Sequence, residues 1–186
     1  MRVGILALQG GFADHQSILT QLDVDYCLIR QALDLTSITH LIIPGGESSA
    51  MLNLLDKHRL WKPLKEFCDH HPVFGTCAGA ILMAKKVTPQ QNSLNLINCQ
   101  IRRNAYGRQN ESFLGDVNLT LDGQIKQAKL LFIRAPQFSD LSPDVNILGT
   151  HNQAPVLLQQ GSHLAASFHP ELCRYNLIHR YFLNMD

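Results

Sequence analysis

Gly75-Thr76-Cys77-Ala78-Gly79 constrains this chain more than any other segment. The short apolar run Pro72-Val73-Phe74 precedes it, and Ala80-Ile81-Leu82-Met83-Ala84-Lys85, of helix-forming composition and ending in a cation, follows it. The pattern predicts strand, tight turn, helix. Glycines two positions before and two after the cysteine suit a strained strand-to-helix elbow, where close backbone approach leaves no room for a Cβ and the central side chain projects outward. A cysteine there also lies at a helix N-terminus, whose partial positive charge favours thiolate, the reactive form. In isolation the same residues are equally compatible with a buried structural cysteine in a glycine-bounded turn.

His169-Pro170-Glu171 adds the groups that a reactive thiol needs. Leu164 to Phe168 reads as a buried strand, and Pro170 pushes His169 out of the α region toward an extended conformation. Residues i and i+2 of an extended segment point the same way, so His169 and Glu171 are expected to share one face, with the carboxylate fixing the tautomer of the imidazole. Alone, this tripeptide would be a loop histidine before a turn proline. Beside the cysteine elbow it completes a set of nucleophile, base and orienting carboxylate.

A third segment, Leu41-Ile42-Ile43 followed by Pro44-Gly45-Gly46-Glu47-Ser48-Ser49, reads as a strand and a flexible turn leading into a helix. Two glycines at a strand end let backbone N–H groups point at a developing oxyanion, and the N–H groups of Gly46 and Ala78 are the expected pair. The bland reading is an ordinary loop with Ser48 or Ser49 as helix cap. No Lys-Ser or Lys-Thr follows in the register that a phosphate-binding loop requires.

The rest of the chain alternates short apolar runs with amphipathic segments. Strands are expected over Arg2–Leu8, Val24–Ile29, Leu41–Ile43 and Val73–Phe74, with helices over Phe12–Leu22, Ser49–His58 and Leu60–His70. The second half is strand-rich, with candidates at Leu96–Arg103, Asp116–Leu121, Leu130–Ile133, Asn146–Thr150, Pro155–Gln160 and His163–Phe168, then a helix over Tyr175–Leu183. This order predicts a three-layer α/β domain over residues 1–186, a mainly parallel central sheet with helices on both faces. The 186 residues, 45% hydrophobic, suffice for one sizeable core. A formal net charge of +1 offers no footprint for nucleic acid or a membrane surface. The five cysteines, at 27, 68, 77, 99 and 173, include no C-x-x-C pair, so neither a disulfide framework nor a zinc site is expected. Val3–Leu8 is too short for a signal-peptide core and no stretch approaches transmembrane length, so a reducing cytoplasm is the expected location. His70-His71, Trp61 and Met51 read as structural, and His40, His58, His163 and His179 show no ligand spacing.

Pro44-Gly45-Gly46-Glu47-Ser48, Phe74-Gly75-Thr76-Cys77-Ala78-Gly79 and Ser167-Phe168-His169-Pro170-Glu171 together resemble the signature blocks of the class I, triad-type glutamine amidotransferases, whose fold is flavodoxin-like. Ile5-Leu6-Ala7-Leu8-Gln9-Gly10, Arg103-Asn104-Ala105-Tyr106-Gly107-Arg108-Gln109 and Phe132-Ile133-Arg134-Ala135-Pro136 resemble one branch, the glutaminase subunits of pyridoxal 5′-phosphate synthase. The resemblance implies Cys77, His169 and Glu171 as catalytic residues. It implies Gly46, Glu47 and Ser48 as lining of the L-glutamine site, Arg103 beside it, and Ile133 and Arg134 at the amino-acid end of the substrate. It also implies no cofactor, and a synthase partner in a hetero-oligomer that receives ammonia, with Leu8-Gln9-Gly10-Gly11 as part of the docking surface. A Gly45-Gly46 peptide has little steric preference, so its N–H is expected to be ordered only when the partner docks. His15, His151 and Asn152 match family positions without an assignable chemistry. A glutaminase of another pathway, a cysteine peptidase of similar fold, in which a histidine commonly follows the nucleophile where this chain has Ala78, and a non-catalytic interaction module remain the alternatives.

Overall fold

A computed structural model describes residues 1–105, 112–173 and 175–185. In chain order the elements are β1 (Val3–Leu6), α1 (Phe12–Gln21), β2 (Tyr26–Ile29), a 3-10 turn (Ala32–Ser37), β3 (His40–Ile43), α2 (Ser48–Lys57), α3 (Trp61–Cys68), β4 (Val73–Thr76) and α4 (Ala78–Met83). There follow β5 (Ala84–Thr88), β6 (Ile97–Arg102), β7 (Ser112–Leu121), β8 (Gln124–Ile133), β9 (Gln137–Ser139), β10 (Asn146–His151), β11 (Ala154–Gln160), β12 (His163–Ala166), a second 3-10 turn (Pro170–Leu172) and α5 (Leu177–Leu183).

Nine strands form one sheet in the order β2-β1-β3-β4-β12-β11-β10-β7-β8. Strands β2, β1, β3, β4 and β12 run parallel, which their short, mostly apolar sequences permit because helices cover both faces of the central ones. From β12 onward the neighbours β11, β10, β7 and β8 pair antiparallel, so the sheet is α/β and mixed. In β7 exposed and buried residues alternate, the pattern of a strand with one wet face. The side-chain period of two sorts each central strand between two cores. Leu41, Ile43 and Val73 pack with Met51, Leu55, Leu64 and Phe67 of α2 and α3, whereas Ile42 and Phe74 pack with Leu19 of α1 and Ile178 and Phe182 of α5. Helices therefore cover both faces. Met51 is fully buried and Trp61 packs against the same core, as packing residues should.

Several local expectations change, and the strands expected over Asp116–Leu121 and Leu130–Ile133 extend to Ser112–Leu121 and Gln124–Ile133 as one long hairpin. The helix expected over Ala80–Lys85 stops at Met83, and Ala84–Thr88 becomes β5 of a separate three-stranded sheet with β6 and β9. Every residue of α4 is buried, so Lys85 and Lys86 could not continue it without entering the core; on β5 both are exposed. The short β9 carries no distinctive alternation and escaped sequence reading. Phe74 is fully buried among the rings of His15, His179 and Phe182. Phe74→Ala should lower unfolding stability by about 3–5 kcal/mol in urea titrations; a loss below about 1 kcal/mol would contradict this packing.

Candidate active site

The carboxyl ends of β1, β3, β4 and β12 meet at one edge of the parallel half, where open α/β sheets bind their ligands. The residue after β4 is Cys77, with φ 48° and ψ −102°, a conformation that L-residues avoid. Its N–H donates to the Ala166 carbonyl at 2.8 Å, and its own carbonyl accepts from Ile81 N–H at 3.1 Å as α4 begins. Gly79 supplies the close approach that the elbow needs, since a Cβ there would overlap the Ile43 carbonyl oxygen. The Sγ–H donates to the Ile133 carbonyl at 3.6 Å, and Cys77 lines the same cavity as the His169 ring.

His169 arrives two residues beyond the position aligned with Cys77. Its N–H donates to Leu131 carbonyl at 2.8 Å, which pins it to the end of β8. Its backbone (φ −111°, ψ 83°) lies outside the α region, as the following proline requires, but short of the extended conformation expected of it. Glu171 is not in an extended segment either: Pro170 opens a 3-10 turn, and the carboxylate reaches the ring through that turn. His169 Nδ1 donates to Glu171 Oε1 at 2.7 Å, leaving Nε2 for Cys77. Burial opposes charge on this ring. The hydrogen bonds from Cys77 and Glu171 and their negative charges outweigh it and push the His169 pKa up to about 10. Burial, joined by the charge of Asp69 at Cys68, pushes the Cys68 and Cys99 thiols up to about 12, which leaves both inert.

Gly45 lies against this pair, because a Cβ on it would overlap His169 Cε1 and approach Cys77 Cβ at 3.4 Å. The Gly45 carbonyl accepts from Gly11 N–H at 3.0 Å, so the Gly46 N–H of that planar peptide faces away from Gly11. Gln9 Oε1 accepts from Glu47 N–H at 2.9 Å and ties the β1–α1 turn to the same loop. Glu47, rather than Ser48 or Ser49, caps α2, its oxygens accepting from Ser49 N–H at 3.1 Å and Ala50 N–H at 2.7 Å. Burial pushes the Glu47 carboxyl up, but these donors and the charge of Arg103 hold it below the usual carboxylate range. Arg103 donates from Nη2 to Glu47 Oε1 at 2.8 Å and from Nη1 to Ser49 Oγ at 3.0 Å.

A cavity of about 440 Å³ brings together Gln9, Gly46, Glu47, Ser48, Cys77, Arg103, Ile133, Arg134 and His169. Ala78, buried, opens α4 beneath it. Gln91, in a stretch without distinctive sequence, belongs to the supporting frame. Its Oε1 accepts from both Ser48 Oγ at 3.0 Å and Arg103 Nη1 at 2.9 Å. Only a contact between distant segments identifies it; nothing in its local sequence does. His151 and Asn152 stand apart, the former tilted against Phe113 and Phe132 with Nδ1 donating to Asp116 carbonyl at 2.8 Å. Tyr106, Gly107, Arg108 and Gln109 of the matching block lie outside the described residues.

The fold is that of the class I glutamine amidotransferases. A family model, the SNO glutamine amidotransferase family, matches residues 5–186. The pyridoxal 5′-phosphate synthase subunit PdxT of Francisella philomiragia is 45% identical over 183 residues, 98% of this chain and 98% of that protein. A crystal structure of a glutamine amidotransferase, 39% identical, superposes with a TM-score of 0.90 over 97% of this chain and 96% of its own. The structure of PurLQS from Thermotoga maritima, 12% identical with a TM-score of 0.71 over 98% and 97% of the two chains, shares the fold alone. This chain belongs to the SNO glutamine amidotransferase family.

Gly45→Ala should displace the His169 ring and lower glutamate release at least about tenfold while the far-ultraviolet circular dichroism stays unchanged; unchanged turnover would contradict the close approach of Gly45 to His169.

Proposed function

We propose that this chain is the glutaminase subunit of a pyridoxal 5′-phosphate synthase, hydrolysing L-glutamine to L-glutamate and ammonia and passing the ammonia to a synthase subunit. The observation that carries the reading is the His169 ring, bound to Glu171 at 2.7 Å and sharing one cavity with Cys77 on its strained elbow. Identity of 45% to a PdxT subunit over nearly the whole chain supports the pathway and the partner.

In this reading Cys77 Sγ, as thiolate, attacks the side-chain amide carbon of glutamine, and the C–N bond breaks after His169 Nε2 protonates the departing nitrogen. Ammonia leaves and a glutamyl thioester remains on Cys77. Water, deprotonated by His169, then adds to the thioester carbonyl; the C–S bond breaks and glutamate departs. Glu171 holds the ring and balances the imidazolium. The N–H groups of Gly46 and Ala78 stabilise both tetrahedral intermediates, each worth about 3 kcal/mol. Glu47, Ser48 and Arg103 bind the amino-acid end of glutamine together with the backbone of Ile133 and with Arg134, a planar guanidinium being suited to a carboxylate. Protein groups and water suffice for every step. Ala78 immediately after the nucleophile, where related peptidases commonly carry a histidine, disfavours the peptidase reading.

The Gln9 turn, bonded to the Glu47 N–H beside the cavity, is the route by which a docked synthase would order the Gly45-Gly46 peptide. Glutamate release should therefore rise when the synthase is added, and equal rates would remove this coupling. Cys77→Ala should lower release at least about a thousandfold in the presence of the synthase; release that survives would remove Cys77 as the nucleophile. His169 loses its proton as pH climbs through about 10, and with it the acid that releases ammonia. The rate of ammonia formation should accordingly fall on the alkaline side as that value is approached; a decline centred near pH 7 would contradict the pairing.

A further inference from the structure

The triad carboxylate has a second neighbour behind it. Glu171 Oε2 is buried and has no hydrogen-bond partner among the described residues, yet it stands 3.6 Å from Nε2 of His15, a fully buried residue of α1. His15 Nδ1 in turn lies 2.9 Å from Nε2 of His179, a fully buried residue of α5. We infer that His15 and His179 are positioning residues: a two-histidine relay that aims an N–H at Glu171 Oε2 and thereby sets the orientation of the carboxylate that holds His169.

The tautomers follow from what is left unpaired. His179 Nδ1 is buried without a partner among the described residues, and an orphaned N–H in that place costs more than a bare acceptor nitrogen. The His179 proton is therefore on Nε2, donated to His15 Nδ1. The His15 proton must then be on Nε2, directed at Glu171 Oε2, with Thr76 Oγ1 beside it at 3.4 Å. Burial, reinforced by the proximity of His179 and His169, lowers the His15 pKa well below its ordinary value, and burial pushes His179 down to about 4. Both rings are neutral at neutral pH, so they orient Glu171 without competing with His169 for its charge. Phe74 meets both rings edge-on at centroid separations of 6.4 and 5.6 Å, which leaves the relay little freedom. Neither histidine lines the glutamine cavity. The same α1 start also carries the Gly11 N–H that holds the Gly45 carbonyl, so one helix braces the carboxylate and the glycine turn together.

This inference rests on the glutaminase reading. The test uses the full chain with its synthase partner, with Cys77→Ala as the control for that reading. His15→Leu should lower kcat about tenfold with KM for glutamine within twofold, and His15→Gln, which restores an N–H donor near the Nε2 position, should recover most of the loss. His179→Leu should lose severalfold, because His15 is then free to take the other tautomer. Full kcat in folded His15→Leu or in His179→Leu, or an equal loss in His15→Gln and His15→Leu, would overturn the relay. In the wild-type protein, long-range proton–nitrogen correlation of the imidazoles should find both histidines protonated on Nε2; an Nδ1 proton on His15 would overturn it whatever the variants do. A fully active Cys77→Ala control would instead overturn the glutaminase reading itself.

Discussion

The site depends on the parallel pairing of β4 with β12. Their register sets Thr76 beside Ala166, and the Ala166 carbonyl accepts the Cys77 N–H at 2.8 Å just where the chain turns into α4. That bond holds Cys77 in a left-handed conformation costing of order 1–3 kcal/mol, which only an over-determined surrounding sustains. It also fixes where β12 ends, and hence where His169 emerges. Strand β3, on the other side of β4, delivers Gly45 and Gly46 to the same edge. Three loops from neighbouring strands thus converge because their strands are hydrogen-bonded in one register, and a one-residue slip would turn each side chain to the opposite face.

Charge is handled differently at the two ends of the cavity. Around Glu171 the environment is nearly dry, and a buried carboxylate persists only with close donors. His169 supplies one of them. Around Glu47 and Arg103 the groups are partly wet, and the carboxylate spends its capacity on capping α2 as well as on the guanidinium. The first arrangement suits a proton carrier whose pKa must be displaced. The second suits recognition, since a partly solvated ion pair can exchange one partner for a ligand at modest cost. By contrast, the exposed pairs Arg2–Asp25 and Lys62–Glu66 each contribute about 0–1 kcal/mol and position nothing in the cavity.

Much of this was legible in the chain because the chemistry is concentrated in short segments. Glycines around Cys77, the glycine pair after β3 and the proline after His169 each impose a local backbone geometry, and local geometry is what sequence encodes most directly. The alternation of strands and helices up to β4 was equally readable, with boundaries off by a residue or two. The separate sheet of β5, β6 and β9 was not, because β5 continues a helix-like composition and becomes a strand only through burial of α4. The reach of Glu171 through a 3-10 turn was missed for a similar reason: alternation of faces describes extended chain, and Pro170 ends it. Gln91, His15 and His179 were invisible as a set. Each acts through residues far away in the chain, and only folding brings α1 and α5 together behind Glu171 and the loop before β6 against Ser48 and Arg103.

The central claim is that Cys77 forms a covalent bond to the glutamyl group. Its most direct test is rapid acid quenching of the chain and its synthase partner during turnover of isotopically labelled glutamine, followed by peptide mass spectrometry. The label should appear as a glutamyl thioester on the peptide containing Cys77 and disappear as glutamine is exhausted. Steady glutamate release with Cys77 unlabelled, or with label on Cys173 or Cys27 instead, would contradict the account.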